Sequence, residues 1–336
     1  NNQLTEIPEA IGNISGLKGL YLEGNKLTTI PKSIGQLTEL KCLYLEKNQL
    51  TEIPDSIGQM NSLEILFLFE NQLSSLPATI GRLKELKELW VFNNLLTAIP
   101  ESIGELTQLN DLNLEGNQLT VIPESIGLLR RLERLNLNKN LLTEIPESIE
   151  LLTSLGFLNL SNNQLTKLPG NIGTLKSLKS LELEGNQLTE FPECITQLTD
   201  LQLLGLNTNQ LTEIPNTIGE LVELKLIAFS DNRLTAIPES IGDLTQLKVI
   251  ILANNQLVEI PEIIGELKEL ELLNLEQNQL TAIPESIGEL TQLKKLILNN
   301  NKITSLPDFI GRLTSLKELY LNDNRLTSLP ESIGLL

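Results

Sequence analysis

The prolines of this chain recur with strict regularity. All fifteen lie 23 residues apart, from Pro8 to Pro330, and each follows an asparagine by six residues. Those asparagines form a ladder of their own, from Asn2 to Asn324, without insertion or deletion. A fixed period in this range predicts one structural unit per repeat, and each unit buries its apolar face only by stacking on its neighbours.

The apolar residues within a repeat predict one strand and one tight turn. In residues 109–115 the leucines at 112 and 114 point to one side and the polar residues to the other, as the two-residue period of a β-strand requires. After Pro100 the apolar spacing becomes three residues, at Ile103, Leu106 and Leu109, which suits a 3₁₀ helix better than an α-helix. Parallel strands about 4.8 Å apart, backed by a bulkier layer of turns, should bend the stack so that the sheet is concave.

The full repeat reads LxxLxLxxNxLTxIPxxIGxL, as in residues 109–129. This pattern resembles the leucine-rich-repeat family, and it is similar to the 23-residue subtype of Ras-group scaffolds, Roco proteins and many bacterial members. The resemblance covers the whole chain. It implies an α/β solenoid, a right-handed arc with a parallel β-sheet on the concave face and short 3₁₀ or helical turns on the convex face.

The uninterrupted period predicts a single leucine-rich-repeat domain over residues 1–336, with about 14 to 15 repeats. The sequence begins and stops within a repeat, and neither end shows the polar capping unit that a solenoid requires. We therefore expect the chain to be a segment of a longer protein. Its uncapped ends are a candidate site of self-association.

Two recurring residues have structural interpretations. The ladder asparagines are expected to turn inward, because an amide with two donors and one acceptor can pair the backbone groups left unpaired after each strand. The glycine after each convex isoleucine is expected to serve close packing between turns. A positive φ is not expected there, since Glu150 and Thr196 occupy the same position in other repeats.

The charge balance points away from nucleic acid. The formal net charge is −18, and the residue after proline is Asp or Glu in eleven of the fifteen repeats, where an acid suits the first turn of a helical segment. A nucleic-acid partner would require clustered lysine and arginine instead. No apolar run is long enough to span a membrane, and no signal peptide is visible.

The two cysteines, Cys42 and Cys194, lie too many repeats apart for a disulfide. Paired-cysteine caps, which are typical of secreted eukaryotic members of the family, are absent from the sequence. This pattern favours a reducing compartment or a bacterial source. A cytoplasmic location is therefore expected, with a secreted or surface-exposed bacterial protein as the alternative.

The residue inventory argues against catalysis within this segment. The sequence contains no histidine and no Gly-Lys pair, which excludes histidine-based nucleophile sets, common zinc sites and a P-loop. Glu182 and Glu184 share one face of a strand, but nothing apolar around them would raise a pKa. We expect no catalytic residue, no metal site and no cofactor.

The functional signal lies on the outward side of the predicted strands, here called the open face. Its positions are those six, four and two residues before each ladder asparagine, 42 in all over fourteen strands. Eight of the eleven aromatic residues fall on this eighth of the chain. Six of them, with Ile65 at their edge, form an aromatic block: Tyr21, Tyr44, Ile65, Phe67, Phe69, Trp90 and Phe92.

A polar strip follows the aromatic block, and a second apolar group follows the strip. The polar strip comprises Asp111, Asn113, Glu115, Arg134, Asn136, Asn138, Asn159 and Ser161. The second group, here called the aliphatic patch, comprises Leu203, Leu226, Ala228, Val249, Ile251, Leu272 and Ile297. The candidate partner-binding residues are the whole aromatic block and four members of the aliphatic patch: Leu203, Leu226, Val249 and Ile251.

Two interpretations of the aromatic block remain open. Contiguous exposed aromatic residues mark binding surfaces, and Trp and Tyr are enriched in interface hot spots. Aromatic side chains also favour pleated surfaces, and they stabilise neighbouring strands by about 0.2–1 kcal/mol per pair. The clustering of apolar residues at two places, with a polar interval between them, favours partner recognition over a self-stabilising ladder.

We therefore expect a non-enzymatic module that binds a protein or peptide along its concave sheet, which is also what the resemblance implies. Two alternatives remain. The chain could be the regulatory or sensory arm of a larger multidomain enzyme, such as a Roco-type GTPase or an effector ligase. It could also be an extracellular recognition or adhesion protein.

Overall fold

The computed structural model describes residues 2–336. It contains two compact units, the first ending at Leu178 and the second spanning Lys179–Leu336. In each unit, short strands alternate along the chain with 3₁₀ helices of five residues. Within a unit strands contact strands and turns contact turns, which gives the predicted arrangement of one strand layer and one turn layer.

The first unit has seven parallel strands among its described residues. Neighbouring strands are offset by one 23-residue repeat, so equivalent positions lie side by side; Tyr44, for example, pairs with Phe67, and Phe67 with Trp90. The strands are β1 (Gly19–Tyr21), β2 (Cys42–Tyr44), β3 (Ile65–Phe67), β4 (Glu88–Trp90), β5 (Asp111–Asn113), β6 (Arg134–Asn136) and β7 (Phe157–Asn159).

The second unit repeats this arrangement over Lys179–Leu336. Its strands also pair in parallel and in chain order, so Leu203 pairs with Leu226, and Leu226 with Val249. The strands are β8 (Ser180–Glu182), β9 (Leu203–Gly205), β10 (Leu226–Ala228), β11 (Val249–Ile251), β12 (Leu272–Asn274), β13 (Lys295–Ile297) and β14 (Glu318–Tyr320).

Each 3₁₀ helix begins directly after a proline, whose fixed φ and missing N–H suit the start of a helical turn. This confirms the turn type predicted from the three-residue apolar spacing. In the first unit the helices are Glu9–Asn13, Lys32–Gln36, Asp55–Gln59, Ala78–Arg82, Glu101–Glu105, Glu124–Leu128, Glu147–Leu151 and Gly170–Thr174. In the second they are Glu193–Gln197, Asn216–Glu220, Glu239–Asp243, Glu262–Glu266, Glu285–Glu289, Asp308–Arg312 and Glu331–Leu335.

The core of each unit consists of the inward leucines of the strands and the inward isoleucines and leucines of the turns. Leu112 and Leu114 after the turn Glu101–Glu105, and Ile126 in the next turn, are completely buried. Such burial removes apolar surface from water at about 25 cal/mol per Å² and is the main force that holds the stack together. The three phenylalanines that lie off the open face, Phe191, Phe229 and Phe309, are also buried.

The ladder asparagines have the structural role that the sequence predicts. The Nδ2 group of Asn140 donates hydrogen bonds to the carbonyl oxygens of Leu114 and Leu137, each at 3.0 Å, and its Oδ1 accepts one from the backbone N–H of Leu119 at 3.0 Å. The same pattern recurs at Asn48. Each inner asparagine therefore ties successive repeats together with bonds that are shielded from water.

From Asn25 onward, the residue before each ladder asparagine adopts a left-handed conformation, which the sequence analysis did not predict. From Gly24 to Asp323 this position has φ between 52 and 65°. Glycine accepts such a φ at no cost, and Asn and Asp tolerate it better than other residues. Thr208 has φ 52° and is β-branched, which makes its conformation the least favourable of the series.

We expect Thr208→Gly to stabilise the second unit. The threonine side chain is exposed, and a left-handed non-glycine residue costs about 1–3 kcal/mol, so removing its Cβ should raise the free energy of unfolding by about 1 kcal/mol. Urea unfolding is the measurement. The control is Thr212→Gly, an exposed threonine nearby without a positive φ, where glycine should only destabilise. Equal effects at both positions would contradict the strain argument.

Candidate protein interface on the open face

The aromatic block lies on the open face of the first unit as a series of stacked rings. The Phe67 ring is sandwiched between Tyr44 and Trp90, with centroid distances of 4.7 and 4.4 Å and interplanar angles of 18 and 13°. A second stack beside it joins Phe69 and Phe92 at 4.2 Å. The register that places equivalent positions of successive strands side by side brings these rings together.

Stacking determines how much of each ring meets solvent. Tyr21 meets Tyr44 edge-on and remains 59% exposed, whereas the other rings of the block are half-buried because neighbouring rings cover their faces. None of the rings enters the core, which the leucines of the same strands fill. Phe67, covered on both faces, thus presents mainly its ring edge to solvent. Its predicted role in binding stays a prediction.

Ile65 lies at the edge of the aromatic block, as the sequence predicts. The register places it between Cys42 on β2 and Glu88 on β4. Cys42 and Cys194 are both free thiols, and burial raises the pKa of each. This edge of the block thus combines the apolar side chain of Ile65 with the Cys42 thiol and the Glu88 carboxylate.

Three carboxylates flank the rings and form no ion pair among the described residues. The rings of Tyr21, Tyr44, Phe67 and Trp90 form a central column across β1–β4. Glu23 and Glu46, which follow β1 and β2, lie on one side of this ring column, and Glu88, which begins β4, lies on the other. Burial raises the pKa of Glu46, with a further contribution from the charge of Glu23, and burial together with the charge of Asp111 raises the pKa of Glu88. The Oε2 atoms of Glu23 and Glu46 are buried and accept no hydrogen bond.

A shallow depression of about 200 Å³ marks the border between the aromatic block and the polar strip. The guanidinium of Arg134 lies there between the Asp111 carboxylate, at 3.5 Å, and the face of the Phe157 ring, at 4.4 Å from its centroid. Burial raises the pKa of Asp111, although Arg134 opposes this. The lining residues are Trp90, Asp111, Asn113, Arg134, Asn136 and Phe157.

The polar strip continues as a hydrogen-bonded network. Glu115 accepts hydrogen bonds from the side-chain amides of Asn136 and Asn138, each at 3.1 Å, and pairs with Lys139 at 3.2 Å. The polar groups of the strip are thus largely satisfied within the protein. This distinguishes them from the carboxylates beside the aromatic block.

The aliphatic patch lies on the open face of the second unit. Leu203, Leu226, Val249 and Leu272 form a column across β9–β12, and Ile251 lies beside it on β11. These side chains are half-buried, whereas Ala228 is buried. Gly205 and Ala228, which pair in register beside the column, add little side-chain volume to the patch.

Among residues 2–336, no cluster of three or more His, Cys, Asp or Glu side chains is arranged to hold a metal ion. No helix within the same range has the length and apolar character needed to cross a membrane.

Family models match most of the sequence. One described as "Leucine-rich repeat region" matches residues 1–97, 152–232 and 235–336, and one described as "Leucine rich repeat" matches residues 107–165. The chain belongs to the leucine-rich-repeat family. The predicted α/β leucine-rich-repeat solenoid is thereby confirmed, whereas the assignment to the 23-residue subtype stays a prediction.

Solved structures of other leucine-rich-repeat proteins are similar along nearly the whole chain. One, from Leptospira interrogans, is 37% identical with a TM-score of 0.91, and the match covers 98% of this chain and 90% of that one. The plant peptide hormone receptor RGFR1, solved in complex with RGF2, is 33% identical with a TM-score of 0.86, covering 99% of this chain and 60% of the receptor. None of the curated proteins matches the sequence.

A third similar structure is the ectodomain of the Arabidopsis thaliana receptor kinase GASSHO1/SCHENGEN3, solved with CASPARIAN STRIP INTEGRITY FACTOR 2. It is 35% identical with a TM-score of 0.76, and the match covers 98% of this chain and 44% of that one. This leucine-rich-repeat protein thus spans about half the length of the two plant receptor chains. Its fold is one that ligand-binding receptors use, which supports a protein-interaction module in general terms.

Proposed function

We propose that this leucine-rich-repeat protein is a non-enzymatic interaction module that binds a protein or peptide on the open face of its sheet. The aromatic block is the main anchor, and the aliphatic patch provides a second contact. The observation that carries this proposal is the aromatic block itself, six rings gathered on the solvent side of four consecutive strands. Large flat side chains in such a cluster are typical of interface hot spots.

Two further observations support binding over a purely structural role. The six rings form one connected apolar cluster, which a partner could cover at little cost in side-chain entropy because stacking already holds most of the rings in place. The similar plant receptors were solved with RGF2 and with CASPARIAN STRIP INTEGRITY FACTOR 2 bound. By analogy, we propose that this chain also binds a protein or peptide ligand.

Because the rings stack on one another, removing one should also lower the stability of the protein, as the interpretation of the block as a self-stabilising series requires. Because Phe67 contacts a ring on each side, Phe67→Ala removes two aromatic pairs worth about 0.5–1.5 kcal/mol each, in addition to any contact with a partner. A modest fall in melting temperature is therefore expected in either case. Binding distinguishes the two interpretations.

The first experiment is affinity purification with the wild type beside a variant carrying Tyr44→Ala, Phe67→Ala and Trp90→Ala. A protein recovered only by the wild type is then purified and titrated against Phe67→Ala. We expect its Kd to rise at least about tenfold, since a hot-spot side chain contributes about 2 kcal/mol or more. The control is Tyr320→Ala, which removes a partly exposed ring from β14, outside the aromatic block.

Unchanged affinity of Phe67→Ala, combined with a large fall in melting temperature, would favour the self-stabilising ladder and reject the proposal. An equal loss of affinity in Tyr320→Ala would show that the effect of removing a ring does not depend on its position in the aromatic block, and it would also count against the proposal.

A further inference from the structure

We propose that the partner segment bound by the aromatic block is cationic, with lysine or arginine side chains whose stems pack on the ring edges and whose head groups reach Glu23, Glu46 and Glu88. This inference rests on the proposed function and specifies the chemistry of the partner. The charges around the block and the orientation of its rings support this inference.

The aromatic block and the open-face positions around it carry a net negative charge. The twelve open-face positions of β1–β4 hold three carboxylates and no lysine or arginine. Glu23, Glu46 and Glu88 form no ion pair among the described residues. Because a half-buried carboxylate without a partner is unfavourable, a cation brought by a ligand would be stabilised here more than at an ordinary surface acid.

The nearby lysines are already engaged elsewhere. Lys41 and Lys87 donate hydrogen bonds to the same carboxylate, that of Glu64, at 2.6 Å each, and they lower the pKa of Glu64 to about 2. Lys47 lies close enough to Glu46 to lower its pKa somewhat, but its own ion pair is with Glu70, at 4.0 Å. The burial of Glu46 outweighs this contribution, so its pKa is raised.

The central ring of the block, Phe67, offers its edge rather than its face to a basic side chain. The faces of Phe67 are occupied by Tyr44 and Trp90, so they are closed to cation–π contact. The ring edges remain, and they suit the methylene chains that lysine and arginine lay along apolar surface while the charged head stays polar. Carboxylates on both sides of the ring column then lie within reach of the head groups.

The sole tryptophan of the chain is Trp90, which makes its fluorescence a reporter of this site alone. The probe is an acetylated and amidated octapeptide that alternates arginine and leucine; matched peptides carry glutamine or glutamate in place of arginine. We expect the arginine peptide to change Trp90 emission saturably. Its Kd should rise about fivefold or more from about 50 to about 300 mM NaCl, because salt screens exposed charges.

The variants separate local charge from the overall negative charge of the protein. The combination Glu23→Gln, Glu46→Gln and Glu88→Gln should raise the Kd of the arginine peptide at least about fivefold. The control combination, Glu6→Gln, Glu52→Gln and Glu144→Gln, removes the same charge at exposed positions off the open face and should raise it less than about twofold. Circular dichroism verifies that both variants are folded.

The possible outcomes distinguish this inference from the proposed function. Equal binding of the arginine and glutamine peptides, both weakened by Phe67→Ala, would overturn the cationic partner and leave an apolar binding face. Equal loss in the two glutamine variants, or no saturable response to the arginine peptide, would also overturn it. Binding of every peptide unchanged by Phe67→Ala would count against the proposed function itself.

Discussion

Asn140→Ala should destabilise the first unit by about 3 kcal/mol, the largest effect we expect from a single substitution. The side chain is buried, and its Oδ1 is the acceptor for the backbone N–H of Leu119. Alanine leaves that N–H unpaired away from water, which costs about 1–3 kcal/mol. It also removes the bonds to the carbonyls of Leu114 and Leu137, worth about 0.5–1.5 kcal/mol each.

The loss at the two carbonyls is partial, because each keeps a second donor. The carbonyl of Leu114 still accepts from Asn117, and that of Leu137 still accepts from Asn163. The unpaired N–H of Leu119 therefore dominates the effect. Hydrogen exchange of the amides in β5 and β6, measured beside urea unfolding, should show the loss concentrated there, since stability in stacked repeats depends on nearest neighbours.

Asn324→Ala is the matched control for this prediction. Asn324 bonds the carbonyls of Leu298 and Leu321 at 2.8 and 3.0 Å, and it accepts from the N–H of Ile303 at 3.1 Å, but it is only partly buried. Water can replace these bonds, so we expect a loss below about 1 kcal/mol. Similar losses at Asn140 and Asn324 would mean that burial of the unpaired group is not the cause.

Much of the fold follows from patterns repeated in every turn. The alternation around Leu112 and Leu114 predicts the strand, the three-residue spacing after Pro100 predicts the 3₁₀ helix, and both are confirmed. The inward turn of the ladder asparagine is also confirmed, because one amide group matches the donors and acceptors that a strand end leaves unpaired. Each of these features depends on a residue and its near neighbours, which the sequence shows directly.

The left-handed residue in each repeat was missed, although a signal for it exists. The position before the ladder asparagine is glycine, asparagine or aspartate at nine of the fourteen sites with positive φ. Residues such as Lys47, Glu70 and Gln277 at other sites obscure the preference. Their presence shows that stacking holds this φ even where the local residue disfavours it.

The candidate site could be located from the sequence but not described in detail. Tyr44, Phe67 and Trp90 each lie four residues before a ladder asparagine, which predicts that they lie side by side on neighbouring strands. The structure confirms this arrangement. The sequence does not show that their rings stack face to face, because side-chain rotamers decide this. It also does not show that Lys41 pairs with Glu64, at 2.6 Å, rather than with a carboxylate of the aromatic block.

Gly104→Ala should destabilise the first unit by about 2 kcal/mol through a clash between turns. A Cβ at Gly104 would overlap the carbonyl oxygen of Ser125 in the next turn, and it would lie 2.8 Å from the Cβ and 3.0 Å from the carbonyl carbon of the same residue. These are mostly backbone atoms, so the turns must separate. Gly104 lacks a positive φ, so alanine brings no backbone strain and the clash is the only cost.

The chain itself contains a test of this packing argument. Where Thr196 replaces the glycine, its turn begins differently: ψ of Pro192 is 96°, whereas the prolines that precede the other 3₁₀ helices have ψ between 136 and 159°. The side chain of Thr196 is thus accompanied by a displaced backbone, whereas Glu150 occupies the same position in a regular turn, with ψ of 147° at Pro146. The cost of Gly104→Ala therefore depends on the neighbouring turn, where the added Cβ would contact the backbone of Ser125.

Two glycines that a Cβ would leave without any contact within 4 Å provide the controls. Gly334 occupies the same position of the repeat as Gly104, and Gly170 begins the 3₁₀ helix Gly170–Thr174. Alanine at either position should be neutral or stabilising by up to about 1 kcal/mol, because it only restricts the unfolded chain. Urea unfolding of the three variants is the measurement. A loss at Gly334 or Gly170 as large as at Gly104 would indicate that the glycine is required for its backbone freedom, and the interpretation as close packing between turns would then be wrong.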